Sequence, residues 1–158
     1  MIDQMDEMTA SGFYGYSIRS KELHNEVSKS LKVEYLSDSH TNEVKQVNGI
    51  IFGPTIKPIV SMPVTINQTT KNVHFIIVTG TFNTYICEEV FNSFKVTSPD
   101  PGHSYRALVN NKSTLVLLPP ANLWFANVNV IGTEYLTTYC SELRIDSSNN
   151  LVTISMVE

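Results

Sequence analysis

His74-Phe75-Ile76-Ile77-Val78-Thr79-Gly80-Thr81-Phe82-Asn83-Thr84-Tyr85-Ile86-Cys87 is the most β-prone run in the chain. Its even positions Ile76, Val78, Phe82 and Ile86 are apolar along its whole length. Its odd positions are apolar at Val73, Phe75 and Ile77 and then turn polar at Thr79, Thr81 and Asn83. Alternate side chains of a strand point to opposite faces. One face is therefore expected to be buried throughout, and the other only before Gly80. As one straight strand the run from Val73 to Cys87 would span roughly 50 Å, against a domain diameter of about 40 Å. The chain must bend, and Gly80 is the natural corner.

Working outward, strand signals dominate. Residues 32–36 read as a short strand, 37–42 as a polar turn and 43–52 as a longer strand. Pro54, Pro58 and Pro63 follow, and proline cannot donate to a ladder, so residues 54–66 read as a loop or edge strand closed by Asn67-Gln68-Thr69-Thr70. Residues 88–94 carry Val90, Phe91 and Phe94 at helical spacing, a single turn. Ser98-Pro99-Asp100-Pro101-Gly102 is a strong turn. Residues 105–109 and 114–118 flank Asn110-Asn111-Lys112 as a hairpin, stopped by Pro119-Pro120. Trp124, Ala126, Val128 and Val130 alternate with Phe125, Asn127 and Asn129 as a one-faced strand; Gly132 breaks it, and residues 135–140 return as another. Leu143 and Ile145, then Val152, Ile154 and Met156, form a closing hairpin around Ser147-Ser148-Asn149-Asn150.

Only residues 20–31 read as a proper helix. Leu23, Val27 and Leu31 make its apolar stripe, with Ser20 as cap and Glu22 in the first turn. Before it, Met1, Ile2, Met5 and Met8 give a short helical face, and Phe13, Tyr14 and Tyr16 among small residues give an adhesive segment. The expected architecture is all-β and mostly antiparallel, a β-sandwich or jelly-roll-like barrel with one short N-terminal helix. Residues 1–18 form a tail and 19–158 a single domain. The length of 158 residues is ample for one core.

Composition narrows the function classes. Charged residues are 16% of the chain, so Ser, Thr and Asn must supply much of the polar surface. The net charge of −4 and the absence of a basic arm argue against nucleic acid as a partner. No apolar run is long enough for a membrane span, and the start lacks the basic and apolar regions of a signal peptide. Cys87 and Cys140 read as buried free thiols, or as one disulfide if the fold brings their Cα atoms within about 7 Å. No cofactor or metal is expected: His24, His40, His74 and His103 are scattered, and no phosphate-binding glycine loop occurs. His74 reads as a satisfied residue at the core edge.

His103-Ser104, preceded by Asp100, is the one catalytic candidate. A serine nucleophile needs a histidine within hydrogen-bond reach. Adjacent residues of a strand face opposite ways, and no G-x-S-x-G elbow is present, so a hydrolase is a subordinate alternative. Binding groups are the stronger candidates. Trp124 beside Asn122 and the Pro119-Pro120 bend forms a possible sugar-stacking platform, against the alternative of a Trp124 buried between sheets. Tyr105 and the strip Thr81, Asn83 and Tyr85 past Gly80 complete the set. Asn67-Gln68-Thr69 and Asn111-Lys112-Ser113 are glycan sequons in expected turns.

The C-terminal third adds a resemblance. Leu118-Pro119-Pro120-Ala121, the strand over 124–131, Gly132 and the hairpin from Leu143 to Ile154 follow a strand–Gly–strand–turn–strand order. Over about 40 residues this resembles the terminal heads of viral or phage attachment proteins, the fibre and receptor-binding heads. The resemblance implies a homotrimeric sandwich on a virion surface or outside cells, non-enzymatic, with a host glycan or protein as receptor. The alternative is a small virion or host-interaction protein working through protein contacts.

Overall fold

The computed structural model describes residues 18–158. The methionine-rich face and the aromatic segment expected before Ile18 lie outside the described residues. The described residues begin with a continuous helical run, α1, made of an α turn at Ser20–Glu22, a π segment at Leu23–Val27 and a final α turn at Ser28–Leu31. Leu23 and Val27 are fully buried, as the stripe requires. The cap is Arg19 rather than Ser20: the Arg19 amide donates to Glu22 Oε2 at 3.0 Å. Ser20 Oγ instead donates to Glu89 Oε1 at 2.8 Å, tying α1 to the short helix α2, Glu88–Ser93. The strand expected at 32–36 is absent; Lys32 takes a left-handed conformation that ends α1, and a turn follows.

Nine strands follow: β1 (Gln46–Phe52), β2 (Lys57–Ile66), β3 (Thr69–Ile77), β4 (Thr84–Tyr85), β5 (Ser104–Val109), β6 (Lys112–Leu117), β7 (Val130–Ile131), β8 (Cys140–Asp146) and β9 (Leu151–Met156). A third helix, α3, spans Thr133–Tyr139. The fold is all-β and mostly antiparallel. The two-layer sandwich is not what forms. Pairings run β3–β7–β4–β6–β5–β2, and β2 pairs back to β3, which closes a six-stranded barrel. The sheet then continues outward from β2 through β1 and β9 to β8. Closure removes the edges that a sandwich would leave exposed.

Two hairpins are set by local chemistry. Asn67-Gln68 joins β2 to β3, and Asn110-Asn111 joins β5 to β6. All four turn residues have positive φ, the geometry whose twist matches paired strands. The prolines read as an edge sit instead inside β2, the longest strand. Pro58 lies one residue beyond the end of the β2–β3 ladder, and Pro63 is tolerated because β2 changes neighbour along one side: β1 pairs with residues 57–60 and β5 with Val64 and Thr65. Pro63 lies between the two partners, and its carbonyl accepts the Asn110 amide at 2.7 Å. Its missing N–H falls on that side, at the changeover, where it costs little.

The decisive run behaves as expected up to its corner. Residues 73–77 of β3 are all buried, between β2 and β7. The strand then stops, turns at Thr79-Gly80 and resumes as β4. Phe82 departs from the expected buried face and is 65% exposed, because the turn abolishes the strand alternation on which that expectation rested. Two further readings fail nearby. Residues 121–127 form turns rather than a strand, leaving only Val130–Ile131 as β7. The strand expected at 135–140 is the helix α3: Tyr135 and Tyr139 sit four apart on one helical face, Tyr135 is fully buried, and its hydroxyl donates to Val109 O at 2.9 Å. Tertiary burial here overrides the strand propensity of Thr and Tyr.

Candidate functional site

Two places along β3 gather chemistry-bearing or accessible groups. The first is the sealed polar cluster around His74. His74 is fully buried, and its Nε2 lies 3.0 Å from Ser28 Oγ. A serine–histidine contact invites a nucleophile reading. The surroundings exclude it. Nε2 also lies 3.1 Å from Val33 O, which can only accept, so Nε2 carries the proton. Nδ1 then accepts from Ser61 Oγ at 3.0 Å. Ser28 Oγ donates to Leu23 O at 2.6 Å and accepts the Tyr35 amide at 3.0 Å. Every role is taken, and no base faces the Ser28 hydroxyl. Burial lowers the His74 pKa to about 4, with the Val33 carbonyl opposing and His24 adding a smaller lowering.

Asn129 completes this cluster. Its Nδ2 donates to Tyr35 Oη at 2.7 Å and to His74 O at 3.0 Å, while its Oδ1 accepts the Cys87 amide at 2.9 Å. Burial raises the Tyr35 and Cys87 pKa values, so both stay neutral. Cys87 and Cys140 are both free thiols. The cluster is a polar strut joining α1, β2, β3 and the approach to β7.

The second place is an open cleft of about 250 Å³ just past the end of β3. Its walls are the β1–β2 tip (Thr55, Ile56, Lys57, Pro58), the end of β3 with its turn (Ile76, Ile77, Val78, Thr79, Gly80), and Trp124. The turn is held from behind. Thr81 O accepts the Thr133 amide at 2.8 Å, and Phe82 O accepts the Glu134 amide at 3.1 Å. A Cβ on Gly132 would collide with the carbonyl oxygens of Asn83 and Phe82, so glycine there permits this close approach. Trp124 is half-buried, with Lys57 Nζ 4.3 Å from its ring centroid and Phe125 packed edge-on at 5.3 Å. Burial lowers the Lys57 pKa. Three exposed apolar side chains, Ile56, Phe82 and Leu123, stand on the loops that form or adjoin the cleft. Two larger depressions, of about 530 Å³ beside α1 and about 630 Å³ beside the end of β9, are lined largely by solvated Lys and Glu.

The candidate binding residues divide between places. Trp124 lines the cleft, and Asn122 is exposed two residues before it. Thr81 and Asn83 lie on the cleft's turn; the Thr81 carbonyl straps it to α3, and the Asn83 carbonyl lies against Gly132. Tyr85 packs on Phe125 at 5.2 Å, and so lies behind Trp124. Tyr105 is elsewhere, between Phe91 and His103, with its hydroxyl accepting the Asp100 amide. The structure does not assemble His103 and Ser104 into a dyad: the His103 ring stacks edge-on against Tyr105, and both residues are exposed. Sequence reasoning missed Ile56 and Lys57, which reach the cleft only through the register of β1 with β2.

No family model and no curated protein matches the chain. Solved structures do. One is a retropepsin-like aspartic protease from Rickettsia conorii, at 12% identity over 72% of this chain and 92% of that one, with a TM-score of 0.48. Another is the retroviral protease-like domain of Ddi1 from Leishmania major, at 17% identity over 62% and 95%, with a TM-score of 0.34. Neither is an attachment-protein head. The expected kinship with fibre and receptor-binding heads is corrected by this finding, and with it the non-enzymatic attachment function and its viral character. The hairpins and the glycine break behind that resemblance are common to many β folds.

At such identities no residue role passes from those proteins to this chain, so the site's chemistry must come from its own side chains. Aspartic proteases work through two carboxylates close enough to share a proton. Among the described residues, Asp38 sits in a bridge opposite Lys71, Asp100 in the turn before β5, and Asp146 at the β8–β9 hairpin, bonded to Asn149. None of these lines the cleft. Among the described residues no cluster of three metal-ligating side chains occurs, and no helix is long and apolar enough to cross a membrane.

Proposed function

We propose that the protein is a barrel domain of the protease-like type that binds an extended polypeptide, seating apolar side chains in the cleft between the β1–β2 tip, the Val78–Gly80 turn and Trp124. The observation that carries this reading is the cleft's lining. Ile56, Pro58, Val78 and Trp124 set apolar and aromatic side chains beside polar groups along its walls. Its side-chain polar groups are Thr55, Lys57, Thr79 and the indole N–H of Trp124. Small-ligand and peptide pockets are mostly apolar with a few placed polar groups, whereas sugar recognition needs a dense set of hydrogen-bonding side chains. Polypeptide is also the substrate class implied by the names of the structural neighbours.

The test is selection of a displayed library of random peptides on the full chain. Enriched peptides should carry aliphatic or aromatic residues, and Trp124→Ala should reduce their affinity about ten-fold. Enrichment that is indifferent to Trp124→Ala would overturn the reading. Mass spectrometry of the recovered peptides adds a second readout: new termini would extend the reading from binding to proteolysis.

A further inference from the structure

Lys57 differs from the other cations around the barrel. Arg19, Lys112 and Arg144 each pair with a carboxylate, of Glu22, Glu43 and Glu142 respectively. Among the described residues no carboxylate stands within pairing distance of Lys57. Its side chain is half-buried, and Nζ lies 4.3 Å from the centroid of the Trp124 ring. Burial alone lowers its pKa, with no neighbouring charge contributing. It is also the one charged side chain among the residues that line the cleft. An ammonium already partly withdrawn from water gains more from an incoming negative charge than a fully solvated one, because less solvent screens the pair. The Trp124 face occupies one side of it, and its N–H donors remain available to a ligand.

We propose that Lys57 makes the cleft selective for polypeptides that carry a carboxylate, on an Asp or Glu side chain or at a free C-terminus, next to the apolar residue that packs on Trp124. The inference rests on the reading of the cleft as a polypeptide site and adds its charge preference. One ammonium matches one carboxylate. A phosphoryl group carries nearly two charges, and the cleft offers a single cation. A basic residue at the same place would meet Lys57 as a like charge and be rejected. The chain's net charge of −4 works against acidic ligands at long range, so a preference for them reports on close contact at Lys57.

Fluorescence anisotropy on the full chain at low salt tests this with matched, labelled peptides. Each has an aliphatic core flanked on both sides by Glu or by Gln, and a free or an amidated C-terminus. A carboxylate form should bind the wild type about five-fold more tightly than the fully neutral peptide. The neutralisation that removes this advantage, at the side chains or at the terminus, identifies which carboxylate is read. Lys57→Met keeps the aliphatic stem and should abolish the ratio, whereas Lys57→Arg should retain it. A Lys57 that only braces Trp124 would alter the affinity of all the peptides alike and leave the ratio intact in Lys57→Met. A ratio near one in the wild type, or one that persists in Lys57→Met, would overturn the charge preference and leave the polypeptide reading standing. Binding of none of the peptides would overturn both.

Discussion

The two ends of β3 share one strand and have opposite chemistry. Around His74, itself fully buried, every polar group is partnered. Past Ile77 the strand opens onto a cleft that is accessible, lined by mixed polar and apolar groups, and free of carboxylates. The polar groups around His74 hold one another in place, and the cleft beyond Ile77 carries no carboxylate pair. A histidine–serine contact is therefore not by itself a site; the acceptor opposite Nε2 decides its role. The difference also predicts that changes at the sealed end act on stability, while changes at the open end act on binding.

The sharpest break is at the lock between the two. Gly132→Ala should destabilise the fold by roughly 4 kcal/mol or more, because the added methyl group meets backbone rather than a flexible side chain. Chemical denaturation measures it, and a cost under about 1 kcal/mol would show that the strap on the 78–83 turn yields easily. Next is Asn129→Ala, which strands Tyr35 Oη, His74 O and the Cys87 amide in the interior. It should cost about 3 kcal/mol, read from the shift in urea midpoint at constant slope.

The third break is a pH dependence. His74 has a folded pKa of about 4, below the ordinary value of 6.5. The unfolded chain therefore takes up the proton first as pH falls. Stability from this group is intact above about pH 6.5 and is lost progressively down to pH 4, by roughly 3 kcal/mol in all. The difference in unfolding free energy between wild type and His74→Gln should shrink or reverse over that window. A constant difference from pH 7 to pH 4 would mean that His74 is not held neutral. The smallest stability effect belongs to the open end. Trp124→Ala should cost only about 1–2 kcal/mol, since the ring is half-buried and its main partners are Phe125 and the Lys57 ammonium.

The parts of the fold that were legible in the sequence are those written in short-range chemistry. The β5–β6 and β8–β9 hairpins, the stripe of α1, the turn of α2 and the corner at Gly80 follow from alternation, turn residues and helical spacing. Apart from the cap of α1 and the turn after it, the failures are long-range. Prolines argued against a central β2, and the change of neighbour from β1 to β5 makes room for Pro63. Thr133–Tyr139 has strand-prone residues and becomes a helix because Tyr135 is buried against the barrel. Barrel closure depends on β7, two residues that pair parallel to β3 and antiparallel to β4, too short to leave a pattern. At the site, Trp124 was visible as an aromatic beside the Pro119-Pro120 bend, although the strand assigned to it forms turns instead. Ile56 and Lys57 were not, because a hairpin tip shows its composition but not what it overhangs.

Trp124 is the chain's single tryptophan, and it lines the cleft, so its fluorescence reports directly on occupancy. Titration of the protein with an apolar-rich unstructured peptide should change Trp124 emission saturably. Ile56→Ser should weaken that response about ten-fold, and neutral oligosaccharides should leave the emission unchanged. An emission that no peptide alters, or that answers to oligosaccharides and is indifferent to Ile56→Ser, would contradict polypeptide binding in the cleft.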